Sequence, residues 1–161
     1  KYDIHAVAPI YDKGVVYYTG GYQSGGGALE LSPDGTSVKV KWTDTALDCQ
    51  HHGVVLVDGY LYGTSHRGQF VCLEMATGKV MWKTREIKQG GIVYADGMLY
   101  VYEGPKEGTV SLVKPDPAGF QRTGLFTVTE GTENHWAHPT IANGLLFIRH
   151  GDALIAYNIK Q

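Results

Sequence analysis

Cysteine is nearly absent: Cys49 and Cys72 are the two in 161 residues. Two thiols so placed form neither a disulfide framework nor a zinc-ribbon spacing. They read as unpaired, partly buried side chains. Charge is scarce too, at 19% of residues with a net charge of -2. Such a chain lacks the electrostatic footprint of a nucleic-acid binder. No apolar run approaches the roughly 18 residues of a membrane span. Asn-x-Ser/Thr does not occur. The start, Lys1-Tyr2-Asp3, carries no charged-then-apolar leader, so it reads as processed or truncated. No window of helix length keeps a 3.6-residue period between breakers.

Glycine is what the chain has in excess, 22 of 161, with 11 tyrosines and 43% hydrophobic residues. That is too apolar and aromatic for intrinsic disorder. The glycines mark an internal repeat. Four segments share one pattern: a short apolar run, a residue followed by Gly, then an apolar-aromatic run. Their central pairs are Lys13-Gly14, Asp58-Gly59, Asp96-Gly97 and Asn143-Gly144. Asp-Gly and Asn-Gly supply the positive φ angles of a type I′ turn, so each segment reads as a hairpin. The glycines at 14, 59, 97 and 144 are spaced by 45, 38 and 47 residues.

A second hairpin follows in each unit. After Asp58-Gly59 comes the strand Gln69 to Glu74, the turn Ala76-Thr77-Gly78, and the strand Lys79 to Trp82. The first unit matches through Pro33-Asp34-Gly35 and Trp42. The third matches through Pro115 to Gly119 and a strand ending near Phe126; Gly35 to Trp42 and Gly119 to Phe126 share a spacing of seven. The unit is four antiparallel strands, A to D. Four-stranded units of roughly 40–45 residues read as propeller blades. The expected fold is all-β, with blades at about 6–45, 46–86, 87–129 and 130–161. A β-sandwich explains the strands but not the repeat.

Asp-Gly-x-Leu-Tyr followed by Thr-Gly-Lys-Val-x-Trp, clearest at Asp58 to Tyr62 and Thr77 to Trp82, resembles the repeat of quinoprotein-type (PQQ-like) β-propellers. The resemblance covers essentially the whole chain. It implies that Gly78 and Trp82 pack the blades; Gly59, Gly97, Gly144, Trp42 and Trp82 read as structural from their recurrence. Leu47 to Gly53, Trp136 to Pro139 and Ile148 to Asp152 also resemble a bacterial branch often labelled alcohol or polyvinyl-alcohol dehydrogenase. From this come two expectations: a periplasmic or extracellular location, and PQQ with Ca²⁺ as the cofactors of any enzymatic role. The fourth unit has A, B and C strands and no D. An open fan of blades exposes long sheet edges, and relatives usually close about eight blades. The chain is therefore expected to be the C-terminal half of a longer ring, or to close one with a second copy.

In an A–B–C–D meander the D–A and B–C connections share one face. His5, His51, His52, His135 and His138 precede A strands, and His66 and His150 sit at B–C connections. Strand A lines the pore, so these residues crowd its mouth. The expected ligand-binding set is His52, His66, Arg67, Trp136, His138, Arg149, His150 and Asp152. Imidazole, guanidinium, carboxylate and indole together suit a metal or an anionic or sugar-like ligand. His52, His138 and His150 are the metal candidates. Adjacent His51 and His52 in a strand would point to opposite faces. Arg149 and Asp152 also read as a local ion pair. Tyr22 to Gly27 lacks the Lys-Ser/Thr and helix of a phosphate loop. Three functions follow: a propeller binding a small molecule, glycan or protein; a PQQ-dependent alcohol dehydrogenase; or an assembly scaffold. The adjacent Cys-Cys pair of methanol dehydrogenase-like members is absent.

Overall fold

The computed structural model describes residues 5–160. They form 15 strands in four antiparallel meanders. The first is β1 (Ile10–Asp12), β2 (Val15–Thr19), β3 (Gly26–Leu31) and β4 (Val38–Asp44). The second is β5 (Val54–Val57), β6 (Tyr60–Ser65), β7 (Gln69–Glu74) and β8 (Val80–Thr84). The third is β9 (Gln89–Ala95), β10 (Met98–Gly104), β11 (Thr109–Lys114) and β12 (Gln121–Thr127). The fourth has three strands, β13 (Thr140–Ala142), β14 (Leu145–His150) and β15 (Ala153–Asn158). The innermost strands abut in series, β1 on β5, β5 on β9 and β9 on β13. This is the inner wall of a propeller, open between its first and last sheets.

The A–B hairpins form for the reason the sequence indicates. Lys13, Asp58, Asp96 and Asn143 have φ of 46°, 48°, 49° and 53°, and the following glycines lie at 74–83°. Two successive positive φ angles define the type I′ turn. No helix competes with these strands among the described residues.

The core lies between blades. Tyr17, Leu47, Leu61, Val71 and Leu73 cluster between the first and second sheets. Tyr62, Phe70, Ile87, Leu99 and Val113 fill the next interface, and Tyr102, Val110, Leu146 and Ile148 the third. Trp42 donates Nε1–H to the Met75 carbonyl at 3.1 Å, and Trp82 to that of Asp116 at 2.8 Å. Each indole thus bolts one blade to the next. A Cβ on Gly78 would lie 2.6 Å from the Trp42 ring, so only glycine lets that turn close on the indole. Cys49 and Cys72 are free and wholly buried, more so than the sequence reading has them.

The third blade corrects the alignment of Phe126 with Trp42. A β-bulge interrupts each C–D pairing at the equivalent place. Beside it Trp42 faces Ala28, Trp82 faces Cys72, and Gly124 faces Leu112. Gly124 therefore stands where the other blades carry tryptophan. Counting from the turn glycine misplaces the residue because the third C–D hairpin has one residue pair fewer between its loop and its bulge, and Gly119 sits one place later in its loop than Gly35.

Candidate functional site

The loop face is assembled by polar contacts that run between blades. The end of strand B holds the following D–A connection. Thr19 Oγ1 donates to the Leu47 carbonyl at 2.5 Å and accepts the Cys49 N–H at 3.1 Å. Thr64 exchanges the same kind of pair with Gly90, at 3.0 and 3.1 Å. In the third blade Tyr102 takes this position and its hydroxyl meets His135 Nδ1. Buried Asp48 accepts the N–H groups of Gln23 and Gly25 at 2.8 and 2.9 Å. Buried Glu103 accepts the Lys88 N–H and the Ser111 hydroxyl, both at 3.1 Å. Burial still raises the Glu103 carboxyl above its ordinary value.

Over this frame lies a shallow cavity of about 350 Å³. Its lining comes from every blade: Tyr22, Gln50 and His51, Gln89 and Pro105, and Trp136. Trp136 is 54% exposed and meets His51 edge-on, ring centres 5.7 Å apart. Behind it is an amide–imidazole network. His66 Nδ1 lies 2.9 Å from Gln50 Oε1, Gln50 Nε2 donates to the Tyr22 hydroxyl, and Gln89 Nε2 donates to the His66 carbonyl at 2.8 Å. No charged side chain lines the cavity.

His52 is 2% exposed, beneath His51, and its Nδ1 has no hydrogen-bond partner among the described residues. Burial, with neighbouring imidazoles adding to it, pushes its pKa down to about 3. The same causes lower His51. The two rings lie 4.0 Å apart on the same side of the chain, not on opposite faces, because residues 50–52 form a bend ahead of β5. His138 Nε2 is 2.6 Å from the His51 carbonyl, and its ring packs on Gly53, which turns at φ +82°.

The candidate set divides. Trp136 lines the cavity, His66 and His138 support it, and His52 lies under it. Arg67 is exposed outside the lining. Arg149, His150 and Asp152 belong to another cluster. His150 sits between the carbonyls of Glu130 and Glu133 at 2.7 and 2.8 Å and stacks on His135 at 3.6 Å. Asp152 accepts from Thr132 Oγ1, and Arg149 Nε donates to the Gly151 carbonyl, so the local ion pair does not form. The three metal candidates do not converge, and no three His, Cys, Asp or Glu among the described residues form a metal-sized group. Tyr22, Gln50, His51, Gln89 and Pro105 lie outside the expected set. Gln50 precedes an A strand as the histidines do, and Gln89 opens one; a search for neutral amides at the start of A strands would have found them.

A family model described as "Outer membrane protein assembly factor BamB" matches residues 5–84 and 32–161. The chain belongs to this family of PQQ-like repeat β-propellers. No curated protein matches it. Among solved structures it is similar to BamB from Moraxella catarrhalis, at 18% identity and a TM-score of 0.69, over 94% of this chain and 43% of that one. It is also similar to the quinohemoprotein alcohol dehydrogenase of Comamonas testosteroni, at 18% identity and a TM-score of 0.58, over 80% and 22%. A third is quinohemoprotein alcohol dehydrogenase ADHIIG of Pseudomonas putida HK5, at 16% identity and a TM-score of 0.66, over 90% and 28%. The chain thus spans less than half of each of these relatives. At such identities the likeness shows the fold.

The dehydrogenase relatives raise PQQ and Ca²⁺. A calcium-held quinone needs carboxylate oxygens facing the ligand. On this chain the buried acids of the loop face, Asp48 and Glu103, are engaged on backbone and hydroxyl donors, and Asp152 on Thr132. None lines the cavity. The residues present do not fit that cofactor. No helix among the described residues is long and apolar enough to cross a membrane.

Proposed function

We propose that this propeller is a binding module that takes a ligand or protein partner on its loop face, centred on Trp136. One observation carries this reading: an exposed indole stands at a neutral cavity to which every blade contributes. A large aromatic left exposed beside converging polar groups is the usual composition of a binding site. The assembly-factor family supports a protein partner. A periplasmic or extracellular location goes with this reading. So does closure of the ring, either by further blades or by a second copy, because the first and last sheets leave edges that proteins cover. The intact mass of the native product distinguishes the two: about twice this chain's 17.6 kDa for one closed chain, or an equal mass with self-association.

The test places a photo-crosslinking residue at position 136, 67 or 149 on the loop face, and at 13, 58 or 96 on the opposite turns, in cells of the source. Adducts from the loop face alone are expected. Adducts confined to the opposite turns would sink the reading. Turnover of an alcohol with added PQQ, Ca²⁺ and an artificial acceptor would favour the dehydrogenase instead.

A further inference from the structure

The connection that carries Trp136 is the longest of the three between blades. Residues 128–139 join β12 to β13, against 45–53 and 85–88 for the two before it. It passes twice through the left-handed region, at Gly131 (φ +94°) and at Glu133 (φ +70°). The second is a non-glycine residue and is strained there. From Thr129 to Asn134 no backbone N–H donates to a backbone carbonyl among the described residues. The Thr132 hydroxyl reaches Asp152. The carbonyls of Glu130 and Glu133 are anchored by one side chain, His150, at the end of β14.

His150 is 7% exposed. Its Nδ1 lies 2.7 Å from the Glu130 oxygen and its Nε2 lies 2.8 Å from that of Glu133. A carbonyl oxygen only accepts. A neutral imidazole has one N–H and one lone pair, so it satisfies one of these carbonyls and turns a lone pair on the other. An imidazolium donates to both. No carboxylate forms an ion pair with the ring among the described residues. Glu130 turns its carboxylate to Thr129, Asp152 to Thr132, and Glu107 to Lys88. Arg149 donates to the Gly151 carbonyl, and Glu133 is exposed. On the other face of the ring, His135 stacks with ring centres 3.6 Å apart, and its Nδ1 meets the Tyr102 hydroxyl. Burial first, and then His150, lower His135, with Glu107 opposing. The stacked pair therefore holds one charge, and two carbonyl dipoles face it.

We propose that His150 is a charge-dependent clamp: as an imidazolium it ties both turns of the 128–139 connection and so holds Trp136 at the cavity, and loss of its proton releases one of them. The path to the cavity is short. His135 stacks on the clamp and leads directly into Trp136. The His135 N–H is bonded to the Pro105 carbonyl, and the Trp136 N–H to that of Asn134. The clamp is whole while the ring is charged and loses one bond as pH rises and the proton leaves. Regulation of binding rests on the reading of Trp136 as the binding centre; the clamp itself does not.

The test uses the full-length protein with nitrogen-15 histidine and 5-fluorotryptophan. It is read first at about pH 7.5, where an ordinary imidazole is mostly neutral. Long-range proton–nitrogen NMR is expected to show protons on both ring nitrogens of His150 and on one of His135. As pH rises further, the Trp136 fluorine resonance, assigned with Trp136→Phe, should shift in step with loss of the His150 proton. The resonances of Trp42 and Trp82 should not follow it. His150→Gln offers an uncharged donor and acceptor. It should give the high-pH Trp136 resonance at neutral pH and remove its pH dependence. Lys83→Ala, on an exposed position of β8, should behave as the parent. A bare ring nitrogen on His150 at about pH 7.5 overturns the clamp, and that result needs no variant. So does a Trp136 resonance whose pH dependence survives His150→Gln. Absence of crosslinked adducts from position 136 sinks the binding reading alone, because neither NMR readout involves a partner.

Discussion

At the scale of single residues, the turns and the indole bolts set stability. Lys13 holds φ +46° in a type I′ turn where the second and third blades have Asp and the fourth has Asn. A long side chain in the left-handed region is strained, and Asn adopts it more readily. Lys13→Asn is expected to raise the urea midpoint by the equivalent of about 0.5–1 kcal/mol. Gly78 combines φ +74° with contact against Trp42. Gly78→Ala strains the turn and pushes the indole, so a loss of about 1–3 kcal/mol is expected in the same measurement. An unchanged midpoint would show that the turn yields without cost.

At the scale of elements, the blades are joined by a latch at the end of strand B. Thr64 Oγ1 both donates to and accepts from the Gly90 backbone, and both residues are buried. Thr64→Val keeps the shape but leaves a buried N–H and C=O unpaired. Such groups cost about 1–3 kcal/mol. Thr64→Ser should recover most of that, and native-state hydrogen exchange should show the loss at β9. The latch recurs five residues after each turn glycine, at Thr19, Thr64 and Tyr102. It is visible in the sequence only once the register is known, since Tyr102 shares only its hydroxyl with threonine.

At the scale of the whole molecule, pH acts through the buried imidazoles. His52 has a native pKa of about 3 against an ordinary 6.5, burial being the first cause. Between these values the unfolded chain takes up a proton that the folded one refuses. Stability therefore rises with pH through this window and falls on acidification from about 6.5 towards 3. One such group changes stability by about 1.4 kcal/mol per pH unit at most. His51 and His135 are lowered in the same sense. Glu103, raised by burial, works the other way: the folded state holds its proton more tightly, so its unfavourable contribution grows as pH rises through its native value. His52→Leu should flatten the dependence of the unfolding midpoint between pH 4 and 6.5. A slope equal to that of the parent would assign the effect to other groups.

The repeat, the strand type and the hairpin turns were legible because they rest on local chemistry. Positive φ at Asp58-Gly59 and a run of alternating apolar residues act over a few positions, wherever the chain goes next. The face of the loops followed too, since a four-strand meander places every D–A and B–C connection on one side. Which side chains converge there did not follow. Gln50, Gln89 and Tyr22 meet Trp136 only through the curvature that brings successive blades together, while Arg149, His150 and Asp152 share the face but lie in another cluster. The place of Gly124 opposite Leu112 was hidden for a similar reason. A hairpin shorter by one residue pair shifts sequence spacing, and only hydrogen-bond register, with its bulge beside Leu112, decides which residue stands opposite which.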